Sequence, residues 1–360
     1  MTEKPRVVVV GGGPAGLAAA EYLSQAGCGV RVMERMPSLG RKFLMAGRGG
    51  LNIAHSEDHA AVLERYGPAS AWLRPALDAW TTQDIREWMA GLGQDSFIGS
   101  SGRVFPVGMK ASPLLRAWLA RLSATGVTFQ TRADWQGWGA HEQLLFTLQQ
   151  PGVETPQHAE IAADAVVLAL GGASWPRLGS TGGWVSLLQQ RGVEVAHLEP
   201  ANCGFCAHWS AFFTERFAGT PLKPVALSFA GRRVRGEIVI TRTGVEGGAL
   251  YALSRAVRQA IATQGQATVL CDLRPDLSTQ ELLDRLRATR ARESLSNRLR
   301  KAIKLAPAAA ALLREVGDVP AEPQALATLL KAMPLTFHAP EPLARAISTA
   351  GGVTRAACDE

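Results

Sequence analysis

The sequence predicts an α/β fold: a nucleotide-binding domain on a parallel sheet, interrupted by an inserted β-plus-helical domain. Three observations carry this expectation. A valine strand, Val7 to Val10, runs into a glycine cluster and then an alanine-rich helix from Pro14 to about Gln25. Far downstream a second apolar run, Ala165 to Leu170, ends in Gly171-Gly172. From about Pro200 the texture changes to alternating strands and then to leucine- and arginine-rich helices.

At 360 residues the chain is long enough for two or three domains. Hydrophobic residues make up 47% and charged residues 19%, an ordinary globular composition. The net charge of +7 permits contact with an anionic cofactor or nucleic acid without demanding either. No run of roughly eighteen apolar residues is present, so no transmembrane helix and no membrane partner are expected. Lys4 and Arg6 precede an apolar run as in a signal peptide, but the glycines and Pro14 break that run, and a reducing cytoplasm is the expected location. Five cysteines, an odd number, do not make a disulfide framework. Cys203 and Cys206, in CGFC beside His208, Trp209, Phe212 and Phe213, read as a structural pair.

In the first unit Gly11-x-Gly13-x-x-Gly16 follows the valine strand and opens the helix at Pro14 and Ala15. The three glycines serve the tight turn, the approach of backbone to a pyrophosphate, and the packing of helix on sheet. The helix N-terminus offers free N–H groups and the positive end of its dipole. Gly27 stops the helix, and a second strand, Gly29 to Met33, leads to Glu34 and Arg35. An acid at that position accepts hydrogen bonds from a ribose 2′-hydroxyl and repels a 2′-phosphate. These features predict a dinucleotide and leave NAD and FAD both open. The next stretch, Ser38 to His55, contains Gly40, Arg41, Lys42, Gly47, Arg48, Gly49 and Asn52, and reads as an extended loop presenting N–H groups and cations to an anionic ligand. Ala165 to Leu170 reads as a buried strand, followed by a small-residue turn, Gly179 to Gly183, and a helix that stops near Gly192.

The remaining elements are read by periodicity and caps. Ser112 as N-cap, Pro113 at the first helical position and Gly126 as stop delimit a helix with Leu114, Leu115, Trp118, Leu119 and Leu122 on one face. Trp135 and Trp138 read as core, with an adenine-side contact as the alternative. Val225 to Phe229 and Glu237 to Thr241 read as hairpin strands, with Gly231-Arg232-Arg233 as the turn. Ser278-Thr279-Gln280-Glu281 is a capping box heading a helical region. Between Asp284 and Lys304 that region carries eight basic residues against two acids, while its leucines indicate a packed face. A solvated basic face is favoured there over a surface for RNA phosphates. The inserted substrate or cap domain is expected over 196–345, and the nucleotide domain over 1–195 with 346–360 returning to it. No HExxH and no G-x-S-x-G occurs, so zinc-protease and serine-hydrolase chemistry have no support in the motifs.

Taken in order, the glycine unit with Glu34, Gly40-Arg41-Lys42, Arg103-Val104-Phe105-Pro106, Lys110-Ala111-Ser112, ALGGASWPRLGSTG, Asn202-Cys203-Gly204-Phe205, Glu246-Gly247 and Thr349-Ala350-Gly351-Gly352-Val353 resemble the BaiN/YhiN-type flavoproteins over nearly the whole chain. The resemblance implies an FAD-dependent oxidoreductase with a glutathione-reductase-like two-dinucleotide-binding fold. It puts Gly11, Gly13, Pro14, Ala15 and Gly16 at the FAD pyrophosphate and Glu34 with Arg35 at the adenosine ribose. Gly40, Arg41 and Lys42 would lie along the cofactor. Gly47, Arg48, Gly49 and Asn52 would approach the flavin, and Gly171 and Gly172 would pass close by. Arg48 or Lys42 is the candidate to balance negative charge beside the flavin. Two departures stand out: Leu51 occupies a position that is cysteine in many relatives, and the segment that usually follows Gly-Gly-Val and closes over the flavin is expected to be absent.

The implied activity is transfer of hydride from NAD(P)H to an unsaturated or carbonyl acceptor. No second GxGxxG marks a nicotinamide domain, so NAD(P)H is expected as a transient reductant. The alternatives are reduction of uridine in ribosomal RNA to dihydrouridine and a non-catalytic flavin-binding or redox-sensing role. The expected partner is a small-molecule substrate, or RNA, with no obligate protein partner.

Overall fold

The computed structural model of the chain describes residues 4–289 and 293–358. The chain divides into two compact units. The first comprises the residues up to Gly171 together with Arg177–Arg191, and the second comprises Gly172–Pro176 and the chain from Gly192 onward.

The first unit is built on a parallel sheet of four strands in the order Ala165–Leu168, Arg6–Val10, Gly29–Glu34, Thr128–Thr131. The valines of the first strand are buried because both neighbours pair with it in full register: Val7 faces Ala165 and Val30, and Val10 faces Leu168 and Met33. The helix Pro14–Gln25 crosses over to the second strand, burying Gly16, Leu17 and Ala20. A second layer comes from the helix Ala111–Ala124, whose Leu114, Leu115, Trp118 and Leu122 join Leu17, Val30 and Val32 in one core. A small antiparallel sheet (Ala54–His55, Arg103–Pro106, Ser96–Ile98) and an antiparallel meander (Ala133–Trp138, Leu144–Leu148, Gln157–Ile161) complete the unit with the remaining helices. Trp135 is buried on that meander and meets Trp138 edge-on at 4.8 Å.

A buried carboxylate ties the helices of this unit together. Glu21 Oε2 accepts from the indole N–H groups of Trp88 at 3.0 Å and Trp118 at 2.7 Å, and Oε1 pairs with Arg121 Nε at 2.9 Å. The carboxylate thereby satisfies both indole donors and supplies the counter-charge to Arg121.

The second unit carries a seven-stranded sheet in the order Met333–Phe337, Ala267–Asp272, Pro221–Phe229, Arg232–Ile240, Gly244–Glu246, Phe205–Cys206, Ala339–Pro340. Its own core joins Phe205, Phe213, Leu227, Val269 and Phe337 to leucines of the helices Thr279–Arg287, Leu295–Ile303, Pro307–Glu315 and Pro323–Lys331. Val195–Pro200 pairs antiparallel with Thr349–Val353 within this unit.

Several boundaries differ from the sequence reading, each for a tertiary reason. Ser38 to His55 is not one extended loop: Arg41–Ala46 is a short helix and Ala54–His55 a strand. Gly40, at φ 65°, turns the chain into that helix, and a Cβ on Gly47 would sit 2.5 Å from Ala111 Cβ. Close packing on the helix Ala111–Ala124 therefore supports a six-residue helix too short to stand alone. The same contact draws the longer helix back to Ala111, so Lys110 is its N-cap instead of Ser112, without a side-chain cap. Pro113 remains in the first turn, where its missing N–H goes unneeded. The strand from Ala165 ends at Leu168 and lies on the sheet edge, with Val166 exposed rather than buried. In the hairpin the turn is Ala230-Gly231, both at positive φ, while Arg232 and Arg233 already belong to the strand. Two positive-φ residues match the twist of a hairpin. The capping box at Ser278 and Glu281 forms as read. The basic region splits into Thr279–Arg287 and Leu295–Ile303, burying Leu282, Leu283, Leu286 and Leu299 and exposing Arg285, Arg287, Arg300, Lys301 and Lys304. Arg290 and Arg292 lie outside the described residues.

Candidate functional site

At the carboxyl edge of the parallel sheet two turns lie side by side, each dictated by its glycines. Gly11 N donates to Met33 O at 2.8 Å, and Ala169 N donates to Val10 O at 2.8 Å. These bonds clamp the turn after the first strand between its neighbours. A Cβ on Gly11 would sit 2.2 Å from Ala169 O, and one on Gly16 would sit 1.9 Å from Gly11 O. Both positions are glycine because backbone occupies the space a side chain needs. Gly13 is different: nothing lies within 4 Å of where its Cβ would be. It caps the helix Pro14–Gln25 with no side-chain acceptor, so the first-turn N–H groups are left for a ligand beside the exposed Pro14 and Ala15.

Glu34, at the end of the second strand, turns back onto this turn. Its Oε2 accepts from Gly12 N at 2.8 Å and its Oε1 from Met36 N at 2.8 Å. A carboxylate has about four acceptor sites, so two backbone bonds fix its position and still leave lone pairs for a diol. Arg35 is committed elsewhere: Nη1 donates to Thr181 Oγ1 at 2.8 Å and Nε pairs with Asp134 at 3.3 Å. Gly40 N donates to Gly12 O at 2.9 Å, which brings the helix Arg41–Ala46 beside the glycine turn. Arg41 Nη1 donates to Ser38 Oγ at 3.2 Å, while its Nε is buried without an acceptor among the described residues. Lys42 is half-buried, and desolvation lowers its ammonium pKa from the ordinary lysine value.

The other sequence-predicted positions sort by the space in front of them. Gly49 faces open space; Arg48 and Asn52 are exposed. Gly171, at φ 69°, follows the sheet's edge strand, and its carbonyl accepts from Trp184 Nε1 at 3.1 Å. Gly47 and Gly172 are closed off by packing. A Cβ on Gly47 would strike Ala111, and one on Gly172 would lie 2.4 Å from Thr349 Oγ1. Gly172 belongs to the second unit, where Ala173 N also donates to Thr349 Oγ1 at 3.0 Å. Sequence reasoning missed Trp184, which holds the Gly171 carbonyl; its only signal was the GSTGG turn after the second glycine-ended strand.

Leu51 is 2% exposed and packs in the core of the first unit, its N–H held by Met109 O at 2.9 Å. Its side chain therefore serves the core of this unit. Cys203 and Cys206 are free thiols; burial pushes Cys203 up to about 11 and raises Cys206. Both are protonated near neutral pH and do not make a nucleophilic pair. His55 is structural as well: Nε2 lies 3.0 Å from Ser101 O and Nδ1 lies 3.1 Å from Glu57 N, so both ring nitrogens are engaged within the chain. Among the described residues no three His, Cys, Asp or Glu side chains are placed to hold a metal ion, and no helix is long and apolar enough to cross a membrane.

Comparison with known proteins places this geometry in context. The chain is 23% identical to a ribosomal RNA dihydrouridine synthase of Escherichia coli K12, over 88% of this chain and 75% of that protein. It is also 23% identical to a ribosomal RNA dihydrouridine synthase of Haemophilus influenzae, over 82% of this chain and 71% of the other. Among solved structures it is similar to a 3-ketosteroid-delta4-(5alpha)-dehydrogenase of Rhodococcus jostii RHA1, at 14% identity and a TM-score of 0.43, covering 98% of this chain and 86% of that one. The family profile described as the HI0933-like protein Rossmann domain matches residues 5–360, so the chain belongs to that family, the FAD-dependent oxidoreductases of BaiN/YhiN type.

Proposed function

We propose that the glycine turn of the first unit holds FAD and that the chain works as a reductase fed by NAD(P)H. The observation that carries this reading is Gly13, which leaves open space above an uncapped helix N-terminus beside the fixed carboxylate of Glu34. Gly11, Gly13, Ala15 and Gly16 would take the pyrophosphate and Glu34 the adenosine ribose. Pro14 supports the turn without donating, and Gly49 leaves room for the ring end. When bound, FAD supplies hydride chemistry between NAD(P)H and an unsaturated or carbonyl acceptor. Lys42 and Arg48 contribute positive charge to this end of the site, and the first unit is assigned to the cofactor and the second to the substrate. Arg35, Gly40, Gly47 and Gly172 act as supports, through Thr181, Gly12, Ala111 and Thr349 respectively. Purified protein is expected to be yellow or to become so with added FAD, and to bleach with NADH or NADPH in the absence of oxygen. A colourless chain that takes up no FAD overturns the reading.

A second reading names the acceptor as uridine in ribosomal RNA. Its support is the activity in the names of two relatives that align with more than four fifths of the chain, together with the exposed cations Arg285, Arg287, Arg300, Lys301 and Lys304 of the basic region. Buried Leu51 weighs against a mechanism that draws a proton from a thiol at that position. Deletion of the gene is expected to lower ribosomal RNA dihydrouridine, measured by nucleoside mass spectrometry. An unchanged level removes this reading and leaves the first intact.

A further inference from the structure

The helix Ser70–Ala79 of the first unit buries none of its residues, although its sequence is largely apolar. Leu73 and Leu77, one turn apart, are half-buried, and the helix packs on its neighbour His59–Arg65. A second apolar stripe, Trp72, Pro75, Ala76 and Ala79, has the spacing that ordinarily faces a core, yet all four residues are exposed. Trp72 is 46% exposed, and Trp80, which follows the helix, is 50% exposed. Slack in this region does not explain the exposure. His59 Nε2 lies 2.6 Å from Asp78 Oδ1, which ties the two helices together. Directly after Trp80, the capping box of Thr81 and Asp84 starts the next helix. A fixed helix that turns two tryptophans to solvent marks an interaction surface.

The stripe itself indicates what covers it. The bulk of Trp72 and Trp80 stands at its ends, and the small side chains of Ala76 and Ala79 lie between. A second copy laid antiparallel across it sets each Trp72 over Ala76 and Ala79 of the other copy. This is the reciprocal fit that a two-fold interface requires. Charge follows the same rule. The helix carries one cation, Arg74, and one acid, Asp78, so reversing the direction places each Arg74 beside Asp78 of the other copy. Tryptophan and arginine are also the side chains that dominate interface energies. A nucleic acid backbone or an anionic lipid surface calls instead for a run of unpaired cations. Here Arg65 is already paired with Glu57, and the helix is neutral. We propose that the exposed stripe of Ser70–Ala79 is a self-association surface through which two copies of the chain pair about a two-fold axis. This role is independent of the cofactor assignment.

The test is sedimentation velocity on the full chain, with melting temperature as the check on folding. The wild type is expected to run as a dimer at roughly 20 μM, well above a micromolar dissociation constant. Ala76→Glu and Ala76→Lys are exposed helical changes and are expected to melt like the wild type. Each is expected to weaken dimerisation at least about 100-fold, because like charges then meet across the axis. An equimolar mixture of the two is expected to restore the dimer, since opposite charges then face each other. Ala79→Glu, on the same stripe, is expected to act as Ala76→Glu does. A monomeric wild type overturns the proposal, and if that monomer co-sediments with phosphatidylglycerol vesicles the stripe belongs to a lipid surface. A dimer that persists in Ala76→Glu and Ala79→Glu places the contact elsewhere and overturns it. A mixture that stays monomeric shows that the stripe does not pair with itself, which also overturns it.

Discussion

Replacing Gly13 by alanine is expected to leave the apoprotein about as stable as the wild type while weakening FAD binding by about 10- to 100-fold, as an extra methyl in a filled site does. The backbone at Gly13 (φ −84°, ψ −178°) is open to any residue, and a Cβ there meets nothing within 4 Å. Alanine lowers the entropy of the unfolded chain by about 0.4–1 kcal/mol, and its inferiority to glycine as an N-cap offsets that by a similar amount. Gly16→Ala is the contrasting case. In an ordinary helix that change stabilises by about 1 kcal/mol. Here the methyl would lie 1.9 Å from Gly11 O, so helix and turn must separate, and a loss of about 3 kcal/mol or more is expected. Apoprotein melting and FAD titration on both variants check the pair. If Gly13→Ala binds FAD like the wild type, the open space is not the pyrophosphate's path.

The second large effect is expected in the other unit, at Asp272. This carboxylate is 1% exposed and holds three donors: Arg233 Nη2 at 2.7 Å, Lys331 Nζ at 2.7 Å and Arg274 N at 3.0 Å. Lys331 also donates to Leu277 O at 2.6 Å and Arg274 O at 3.2 Å. Asp272→Ala leaves the ammonium buried against carbonyls without a counter-charge, and breaking a buried pair in this way costs about 3–5 kcal/mol. Cys271 supplies the measurement: it is buried and unpaired, and burial raises its pKa. Its alkylation across a urea gradient reports the opening of this unit, and the midpoint for Asp272→Ala is expected far below that of the wild type. A midpoint within about 0.5 kcal/mol, the range of an ordinary surface change, would show that the pair does not support the sheet.

What could be read from the chain depended on whether the constraint was local. Gly11 and Gly16 were legible because strand, turn and helix are consecutive and the steric demand falls within a few residues. The capping box at Ser278 and Glu281 was legible for the same reason. The short helix Arg41–Ala46 was not, because its support comes from Leu115 and Ala111, and neither periodicity nor caps mark it. Gly47 and Gly172 looked like Gly49 and Gly171 in sequence, but packing against Ala111 and Thr349 gives them a different task. Asp272 with Arg233 and Lys331, and Glu21 with Trp88, Trp118 and Arg121, each join residues from separate elements.

The pairing of Val7 with Ala165 and of Val10 with Leu168 also sets a timetable for the nascent chain. The glycine turn and Glu34 are synthesised early, yet the wall against which Gly11 rests, Ala169 O, emerges far later. Closing a loop of that length carries an entropy term of about 4–5 kcal/mol, and at ribosomal speed the intervening residues take about 8–30 s to appear. During that interval one edge of the first strand has no partner, and the glycine turn is half built. A cofactor held by this turn would therefore be captured late in biogenesis, after the second glycine turn has left the ribosome.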